Sequence, residues 1–413
     1  MDITIFPQKL AGTVTAIPSK SQAHRLFLCA ALADKPTTIE IPTLCDDLLA
    51  SIRCISGFGA EIEHQYGKSE TIFPATNKPQ RTIIGCGESG STLRFMLPLA
   101  GALGIDTIFL LEGRLPYRPL SPLWEEMNRM GCRLSWMDKS ELQQACHEQG
   151  VRLSRSVTAG LHLTGQLRAG HFRLDGNVSS QFISGLLMAL PILEGESRLE
   201  LIGPLESKPY VDLTLQVLDT FGVHWENFRI TGPQTFYSPG KAVVEGDWSN
   251  AAFWLAAAAL GCDVAVTGLN PDSAQGDKEI CDILSRLEHQ CTISAADIPD
   301  LIPILAVVAA AKEGAVFTDI RRLRLKESDR VSSVINMLSG LGVRAVADEN
   351  TLTVYPATLI GGTVDSAKDH RIAMAAAIAS TVCTQPVTIL GADSVAKSYP
   401  NFWKEFTRLG GKI

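Results

Sequence analysis

The sequence predicts an α/β fold of two similar domains, and three observations lead to this prediction. A short β-type run, a polar turn and an apolar helix rich in Ala and Leu recur six times along the 413 residues. Successive turns lie too far apart for a solenoid and suit subdomains rich in β-α-β units. The composition, with 46% hydrophobic residues and 34 glycines, is that of a globular chain long enough for two cores.

Each of the six copies is predicted to open a buried helix. The copies run from residues 13–15 through 18–21 to 33, from 82–84 through 87–90 to 103, from 172–174 through 177–180 to 190, from 242–244 through 247–249 to 260, from 298–299 into a helix over 300–311, and from 362–364 through 368–370 to 380. Ser, Asp and Gly in these turns favour N-caps, and helices that are apolar all round are expected to be buried. Three copies would form each domain, with a crossover near Gly232–Pro233 and 238–240.

A block of charge precedes one further helix. Residues 324–330 carry five charged side chains, directly before an apolar helix predicted to begin at Val331. Lys326 and Arg330 would be neighbours there, with Glu327 three residues before Arg330. Two cations and a carboxylate at a helix start suit an anionic substrate that also needs proton transfer, although in isolation such a block more simply indicates a solvated helix start.

Reactive side chains gather at this and the other predicted helix starts. Because each helix N-terminus carries about half a positive charge, six starts facing one interdomain cleft would form an anion site. The residues within about a turn of such a start are Ser21, Arg25, Arg94, Ser179, Ser180, Gln181, Asp300, Glu327, Arg330 and Arg371.

Several classes of protein are disfavoured. A net charge of −7 without a Lys/Arg-rich run argues against a nucleic-acid binder. The chain has no long apolar run and no targeting segment at its start, so no membrane association and a cytoplasmic location are expected. The ten scattered cysteines, without metal-ligand spacing, are interpreted as small buried hydrophobes that form neither disulfides nor a metal site.

Two glycine motifs overlap at residues 85–92. Gly85, Gly87 and Gly90 after a β-type run, with Glu112 further on, fit a dinucleotide fingerprint, and the same stretch nearly fits a phosphate-binding P-loop. The P-loop lysine is missing. Pro98 is expected to interrupt the helix that a dinucleotide fold requires, so a tight turn is the simpler interpretation.

Taken together, the motifs resemble the 5-enolpyruvylshikimate-3-phosphate synthase family, in order and over nearly the whole chain. The matching segments are Pro-Ser-Lys-Ser at 18–21 with Arg25, Gly-Glu-Ser-Gly-Ser-Thr-Leu-Arg at 87–94, Leu-Pro-Tyr-Arg-Pro at 115–119, Ser-Ser-Gln at 179–181, Ser-Lys-Pro-Tyr at 207–210, Ile-Pro-Asp at 298–300, Leu-Lys-Glu-Ser-Asp-Arg at 325–330, Asp-His-Arg at 369–371 and Lys-Ser-Tyr-Pro at 397–400.

The resemblance implies the fold and its boundaries. The family has two similar domains, each of three β-α-β-α-β-β units with buried helices, an inside-out α/β barrel. Here one domain would comprise residues 1–16 and 232–413 and the other residues 17–231, with the active site in the cleft between them. The protein would be a monomer.

The resemblance also implies the reaction and its site residues. Enzymes of the family transfer the enolpyruvyl group of phosphoenolpyruvate to the 5-hydroxyl of shikimate 3-phosphate in the shikimate pathway to chorismate and the aromatic amino acids, without a metal or organic cofactor, and are the target of glyphosate. Shikimate 3-phosphate would be held by Lys20, Ser21, Arg25, Ser179, Ser180, Gln181, Ser207, Asp300 and Lys326. Phosphoenolpyruvate would be held by Lys20, Gly90, Arg118, Gln181, Arg330, Arg371 and Lys397.

Three of these residues would act in catalysis. Glu327, with assistance from Lys20, would deliver the proton to C3 of phosphoenolpyruvate, and Asp300 would orient and deprotonate the hydroxyl. Both substrates are phosphorylated carboxylates, which suits the cationic residues. The alternatives are the related enolpyruvyl transferase acting on UDP-N-acetylglucosamine, an oxidoreductase based on the glycine fingerprint, and a catalytically silent anion-binding protein.

Overall fold

The computed structural model describes residues 1–413 and contains twenty strands and thirteen α-helices. The strands are β1 (Ile3–Ile5), β2 (Ala11–Thr15), β3 (Thr37–Glu40), β4 (Glu61–Gln65), β5 (Ser69–Phe73), β6 (Arg81–Gly87), β7 (Asp106–Glu112), β8 (Cys132–Met137), β9 (Val157–Gly165), β10 (His171–Asp175), β11 (Gly195–Ile202), β12 (Arg229–Gly232), β13 (Lys241–Val243), β14 (Asp263–Thr267), β15 (Cys291–Ser294), β16 (Ala315–Thr318), β17 (Ala345–Ala347), β18 (Thr351–Val354), β19 (Gly362–Asp365) and β20 (Val387–Leu390). The helices are α1 (Lys20–Ala31), α2 (Asp46–Gly57), α3 (Gly90–Leu103), α4 (Leu123–Arg129), α5 (Lys139–Glu148), α6 (Ser180–Ala189), α7 (Lys208–Thr220), α8 (Trp248–Ala259), α9 (Ile280–Arg286), α10 (Ile302–Ala311), α11 (Arg330–Gly340), α12 (His370–Ala379) and α13 (Phe402–Arg408).

The chain divides into two compact units. The terminal unit comprises Met1–Ser19 and Glu245–Ile413, and the central unit comprises Lys20–Val244. These boundaries differ from the predicted ones at residues 16/17 and 231/232. The second boundary comes later because β13 pairs in parallel with β3, which ties residues 241–243 to a sheet of the central unit.

Each unit contains three sheets. In the central unit the strand orders are β13-β3-β5-β4, β6-β7-β9-β8 and β10-β11-β12. In the terminal unit they are β14-β2, β15-β16-β18-β17 and β1-β20-β19. The two larger sheets of the central unit and the four-stranded sheet of the terminal unit mix parallel and antiparallel pairs, as expected when a β-α-β crossover is followed by a hairpin. The prediction of two similar α/β domains is confirmed.

The helices that follow the six predicted turns form the centres of the two units. In the terminal unit, α12 buries all ten of its residues and α10 buries every residue from Ile302 to Ala310. In the central unit, α3 packs against α6 and buries twelve of its fourteen residues. A helix with no polar face can be stable only when surrounded, so apolar composition on all sides predicts this placement correctly.

The expectation that Pro98 interrupts its helix is wrong. Helix α3 continues through Pro98 to Leu103. The Pro98 ring removes one hydrogen bond to the carbonyl of Arg94, four residues earlier. That carbonyl faces α6 at Gly185, where an added Cβ would lie 2.4 Å from the Arg94 oxygen. Close packing of two buried helices therefore holds α3 together across the proline.

A buried chain of hydrogen bonds connects the N-terminal halves of α1, α2 and α3. Nδ1 of His24 lies 2.7 Å from Oγ of Ser51, which lies 2.8 Å from Oγ1 of Thr92. Thr92 Oγ1 also donates to Oγ of Ser89, the N-cap of α3, at 2.8 Å. Since buried polar groups must find partners, this chain fixes how the N-terminal halves of the three helices lie relative to one another.

Two further properties concern the chain as a whole. None of its helices combines the length and the apolar character that a membrane span needs. All ten cysteines are free thiols; eight are buried, Cys291 is half-buried and Cys281 is exposed.

His24 should make the stability of the protein depend on pH. Burial lowers the pKa of His24 from 6.5 to about 3, so between these values the unfolded chain binds a proton that the folded protein does not. This stabilising contribution is complete above pH 6.5 and is lost as the pH falls towards 3. Between pH 6 and 4, the free energy of unfolding should fall less steeply for His24→Asn than for the wild type, by up to about 1.4 kcal/mol per pH unit.

Urea unfolding at a series of pH values measures this difference. The matched control is His289→Asn, which makes the same change at an exposed position. Parallel pH profiles for the wild type and His24→Asn would contradict the prediction.

Candidate active site

The predicted site residues fall into two clusters, one on each unit. The central cluster lies at the starts of α1, α3, α6 and α7 and on the loop after residues 115–117, and it contains Lys20, Ser21, Arg25, Gly90, Arg118, Ser179, Ser180, Gln181 and Ser207. The terminal cluster lies at the starts of α10, α11 and α12 and at the end of the short 3-10 turn Ala392–Lys397, and it contains Asp300, Lys326, Glu327, Arg330, Arg371 and Lys397.

In the central cluster, Lys20 begins α1 and is paired with a carboxylate. Its Nζ lies 2.8 Å from Oδ2 of Asp47, in the first turn of α2. Both side chains are largely buried, so this ion pair is screened less than one on the surface. Asp47 was not among the residues predicted from the sequence, although two acidic residues in succession can indicate the start of a helix.

Arg25, one turn further along α1, is buried and held by neutral oxygens. Its Nε donates to Oγ1 of Thr214 at 2.7 Å, and Nη1 donates to the carbonyl of Ser21 at 2.6 Å. Nη2 donates to Oγ of Ser184 at 3.1 Å and to the carbonyl of Tyr210 at 2.9 Å. Burial lowers the pKa of Arg25 to about 10. This guanidinium therefore carries a positive charge that its hydrogen-bond partners do not neutralise.

An aromatic ring completes the surroundings of Arg25. The guanidinium carbon lies 5.1 Å from the centroid of the buried Phe95 ring on α3, within the range of a cation–π contact. Phe95 also makes an edge contact with the His24 ring. Thus α1 and α3 are joined beside the site by aromatic as well as polar contacts.

Gly90 begins α3 beside two guanidinium groups. A Cβ built on Gly90 would lie 2.5 Å from Nη1 of Arg118 and 2.6 Å from Nη1 of Arg94. No real Cβ tolerates such distances, so only glycine allows both cations to come this close to the helix start. The glycine-rich turn that resembles a nucleotide motif therefore leaves room for two arginines.

Gln181 connects the starts of α6 and α3. Its amide nitrogen donates to Oγ of Ser91 at 2.9 Å, and its oxygen accepts from Nη1 of Arg94 at 3.1 Å. Ser179 is the N-cap of α6 and accepts from the backbone N–H of Gln181, while Ser180 is buried in the first turn. The first turn of α6 therefore presents the Ser-Ser-Gln motif beside Arg94.

Ser207 precedes α7 in a left-handed backbone conformation. Its φ of 54° is uncommon for a residue other than glycine, and its side chain is buried. Such conformations are costly and tend to be retained at functional sites.

In the terminal cluster, one guanidinium forms ion pairs with three carboxylates. Arg330 is only 1% exposed, and its Nη1 lies 2.7 Å from Oδ1 of Asp300. Its Nη2 lies 2.9 Å from Oε2 of Glu327, and its Nε lies 3.1 Å from Oδ2 of Asp369. Burial alone would lower the pKa of Arg330, but these three carboxylates raise it above the ordinary value. The solvated helix start that the isolated charge block suggested is thus replaced by a buried ion network.

Asp300 is surrounded by cations. Besides Arg330, Nζ of Lys326 lies 3.5 Å from Oδ1, and Nη2 of Arg371 lies 3.4 Å from Oδ2. Burial would raise the pKa of Asp300, but the three cations hold it well below its usual range. Burial in turn lowers the pKa of Lys326. Asp300 is therefore ionised at neutral pH and available as a hydrogen-bond acceptor.

Arg371, in the first turn of α12, is fixed by the start of α8. Its Nη1 donates to the carbonyl of Ser249 and its Nη2 donates to the Ser249 hydroxyl, both at 2.8 Å. Burial would lower the pKa of Arg371, but Asp300, Asp247 and Asp277 raise it above its ordinary value.

Lys397 ends the turn Ala392–Lys397. The next residue, Ser398, donates from Oγ to Oδ1 of Asn250 at 3.3 Å. Since Asn250 follows Ser249 on α8, Lys397 is anchored through its neighbour to the helix start that holds Arg371.

Several residues without a role predicted from the sequence contribute to these clusters. Asp369 was recognised only as part of a helix-start motif, yet it caps α12 and pairs with Arg330. Arg94 was noted at a helix start, and here it lies against Gly90 and Gln181. Ser184 and Thr214 lie in the interiors of α6 and α7, where nothing in the sequence distinguishes them from ordinary helix residues.

Comparison with solved structures identifies the fold class. The chain resembles an EPSP synthase from Acinetobacter baumannii with a TM-score of 0.77 and 22% sequence identity, over 99% of this chain and 98% of the other. It resembles the enolpyruvyl transferase NikO from Streptomyces tendae with a TM-score of 0.72 and 18% identity, over 100% and 97% of the two chains. The fold is therefore that of the enolpyruvyl transferases.

Sequence comparison then identifies the family. The family model described as EPSP synthase (3-phosphoshikimate 1-carboxyvinyltransferase) matches residues 6–297 and 291–406. The 3-phosphoshikimate 1-carboxyvinyltransferase of Clostridium beijerinckii is 38% identical over 99% of this chain and 98% of its own length, and that of Clostridioides difficile is 37% identical over 100% and 98%. The chain belongs to the EPSP synthase family, as its motifs predicted.

The ion network around Arg330 predicts a large stability loss when its most buried carboxylate is removed. Asp369→Ala leaves Arg330 short of a partner and removes the cap of α12, so the free energy of unfolding should fall by about 3 to 5 kcal/mol. The matched control is Asp329→Ala, which removes the N-cap of α11 at a partly exposed site and should cost about 1 kcal/mol. Urea unfolding measures both, and equal losses would contradict the importance of the buried pair.

Proposed function

We propose that the protein transfers the enolpyruvyl group of phosphoenolpyruvate to the 5-hydroxyl of shikimate 3-phosphate and releases phosphate. The observation that carries this proposal is the different charge balance around the two buried arginines. Neutral oxygens hold Arg25, whereas Arg330 is surrounded by carboxylates that include Asp300 and Glu327. One cluster thus supplies uncompensated positive charge for anionic substrates, and the other supplies carboxylates for proton transfer.

Both substrates carry a phosphate and a carboxylate, and each finds suitable donors in the proposed site. Shikimate 3-phosphate would contact Lys20, Ser21, Arg25, Ser179, Ser180, Gln181, Ser207, Asp300 and Lys326. Phosphoenolpyruvate would contact Lys20, Gly90, Arg118, Gln181, Arg330, Arg371 and Lys397. Arginines suit the second set because they remain charged and bind carboxylate and phosphate oxygens with two hydrogen bonds at once.

The chemistry consists of an addition followed by an elimination. Glu327, with Lys20 assisting, would protonate C3 of phosphoenolpyruvate while the 5-hydroxyl attacks C2 and loses its proton to Asp300. The resulting tetrahedral ketal phosphate would then lose a proton from C3 and release phosphate, which restores the double bond in the product.

The contacts of Arg330 support this division of roles. Arg330 holds Asp300 through Nη1 and Glu327 through Nη2, so the proposed base and acid are fixed by the two ends of one planar group. Proton donor and acceptor must be held in defined positions for efficient transfer, and a buried guanidinium provides such a fixed frame.

Transfer to UDP-N-acetylglucosamine is the nearest alternative reaction. A reactive cysteine would favour it, but burial raises the pKa of Cys29, Cys45, Cys86, Cys132 and Cys383. Raised pKa values are the opposite of what an activated thiol needs. We also propose that the enzyme acts as a monomer without a cofactor, because one chain supplies both clusters.

Phosphate release tests the proposed reaction and its catalytic residues together. The wild type should release phosphate only when phosphoenolpyruvate and shikimate 3-phosphate are both present. Glu327→Gln and Asp300→Asn should each lower turnover by about two or more orders of magnitude, since general acid–base catalysis typically contributes that factor. Glu349→Gln, an exposed carboxylate change in the same unit, serves as the control and should leave turnover unchanged.

The possible outcomes separate the two parts of this proposal. Release of phosphate with UDP-N-acetylglucosamine as the acceptor, or no release at all, would exclude the proposed reaction. Near wild-type turnover of Glu327→Gln or Asp300→Asn would leave the reaction intact and remove only that residue from the mechanism.

Gly90→Ala should separate inhibitor binding from substrate binding. Glyphosate, the family's inhibitor, is longer than phosphoenolpyruvate, so a methyl group that displaces the Arg118 and Arg94 side chains should crowd it more. Inhibition of the wild type should be competitive with phosphoenolpyruvate, and the inhibition constant should rise at least about tenfold more than KM for phosphoenolpyruvate. Inhibition kinetics measure both constants, and equal increases would place Gly90 outside the phosphoenolpyruvate site.

A further inference from the structure

The start of α8 contains a buried serine that makes two contacts with a single arginine. The carbonyl of Ser249 accepts from Nη1 of Arg371, and its hydroxyl accepts from Nη2, each at 2.8 Å. Ser249 is 7% exposed and Arg371 is 3% exposed, so water competes little with either hydrogen bond. Ser249 thus accepts hydrogen bonds from both terminal nitrogens of the guanidinium.

The hydroxyl of Ser249 is itself fixed in direction. It donates to Oδ1 of Asp247 at 2.6 Å, so its hydrogen points to the carboxylate and its lone pairs face Arg371. A donor–acceptor chain of this kind, from a cation through a hydroxyl to an anion, strengthens each of its links. Asp247 also contributes to the raised pKa of Arg371.

These contacts are separable from the capping of α8. The cap is formed by Oδ1 of Asp247, which accepts from the backbone N–H of Asn250 at 2.8 Å. The Ser249 hydroxyl is a second donor to the same oxygen. The hydroxyl of Ser249 therefore binds Arg371, and α8 would keep its N-cap if this hydroxyl were removed.

One hydrogen-bond donor of Arg371 is not used within the protein. Its Nε is buried and makes no hydrogen bond in the structure. Buried donors without partners are rare in proteins, and one at a proposed anion site indicates a contact completed by the ligand. The two hydrogen bonds from the terminal nitrogens to Ser249 would hold the Nε–H group of Arg371 in its orientation before the ligand binds.

We propose that Ser249 is a positioning residue for phosphoenolpyruvate: it holds Arg371 in its binding orientation through its hydroxyl and carbonyl, with Asp247 directing the hydroxyl. This inference rests on the proposed function, which assigns Arg371 to phosphoenolpyruvate. It adds a residue outside the matched motifs and predicts an effect on one substrate only.

Ser249→Ala tests the proposal by steady-state kinetics with each substrate varied. Removing a hydrogen bond to a charged, buried group should raise KM for phosphoenolpyruvate about tenfold. The KM for shikimate 3-phosphate should stay within about twofold, because it is proposed to bind through other side chains, and the melting temperature should change little because the cap remains. Ser249→Cys, which keeps a weaker acceptor of similar shape, should lie between the wild type and Ser249→Ala.

Ser380→Ala is the matched control. Ser380 is also buried and lies at the opposite end of α12, where its hydroxyl donates to the carbonyl of Ala377. The same chemical change there should leave both KM values unchanged.

A double-mutant cycle shows whether Ser249 acts through Arg371. In an Arg371→Lys background, where the ammonium cannot span both acceptors, Ser249→Ala should change KM for phosphoenolpyruvate by less than about twofold. A full tenfold effect in that background would overturn the proposal. So would an unchanged KM in the single variant, or equal rises for both substrates together with a lower melting temperature. A wild type that fails to transfer the enolpyruvyl group would instead refute the proposed function, which distinguishes the two failures.

Discussion

The terminal unit depends on the burial of one arginine. Arg330 is taken out of water at the start of α11, and an unpaired charge there would cost several kcal/mol. Its three carboxylate partners come from the segment before α10, from the loop before α11 and from the cap of α12. The starts of three helices must therefore meet at one point. Because the same Asp369 carboxylate accepts from the backbone N–H of Arg371, this requirement also places the second arginine.

The central unit also buries an arginine, but it surrounds the guanidinium with neutral groups instead of carboxylates. Arg25 is as deeply buried as Arg330, but its partners are hydroxyl and carbonyl oxygens and an aromatic ring. Neutral acceptors satisfy its N–H groups without cancelling its charge, so its pKa falls whereas that of Arg330 rises. A doubly or triply charged ligand gains most from an uncompensated cation of this kind, while proton transfer needs carboxylates close by. In the proposed reaction, two units of similar fold would thus have different roles.

The sequence was sufficient for the fold class and the family, because both depend on features that are local in the chain. Polar turns followed by apolar helices located all six core helices, and the helix predicted between the turn at 177–180 and residue 190 is observed at Ser180–Ala189. The structure differs from the prediction in two places where distant segments decide the outcome. Pro98 remains helical because α6 packs against α3, and the unit boundary follows β13 because of its pairing with β3.

In the two clusters of site residues, too, local features could be predicted from the sequence and contacts between distant segments could not. Residues at helix starts could be proposed from the sequence, since capping and charge are visible there. Their partners were missed when they come from the interior of another helix, as with Thr214 and Arg25. Burial was also invisible: the charge block at 324–330 looks solvated, and only the fold makes Arg330 an interior residue.

The low pKa of Asp300 has a consequence for the proposed reaction. A carboxylate stabilised by three cations is a weak base, so it will not remove the proton of an unactivated hydroxyl. Two of those cations, Arg330 and Arg371, are also the proposed ligands of phosphoenolpyruvate. When an anionic substrate binds them, its negative charge offsets theirs, and the pKa of Asp300 must rise by the same interaction that now depresses it. Asp300 would therefore become a stronger base only when phosphoenolpyruvate, which the hydroxyl attacks, is bound. This order would prevent proton transfer before both reactants are in place.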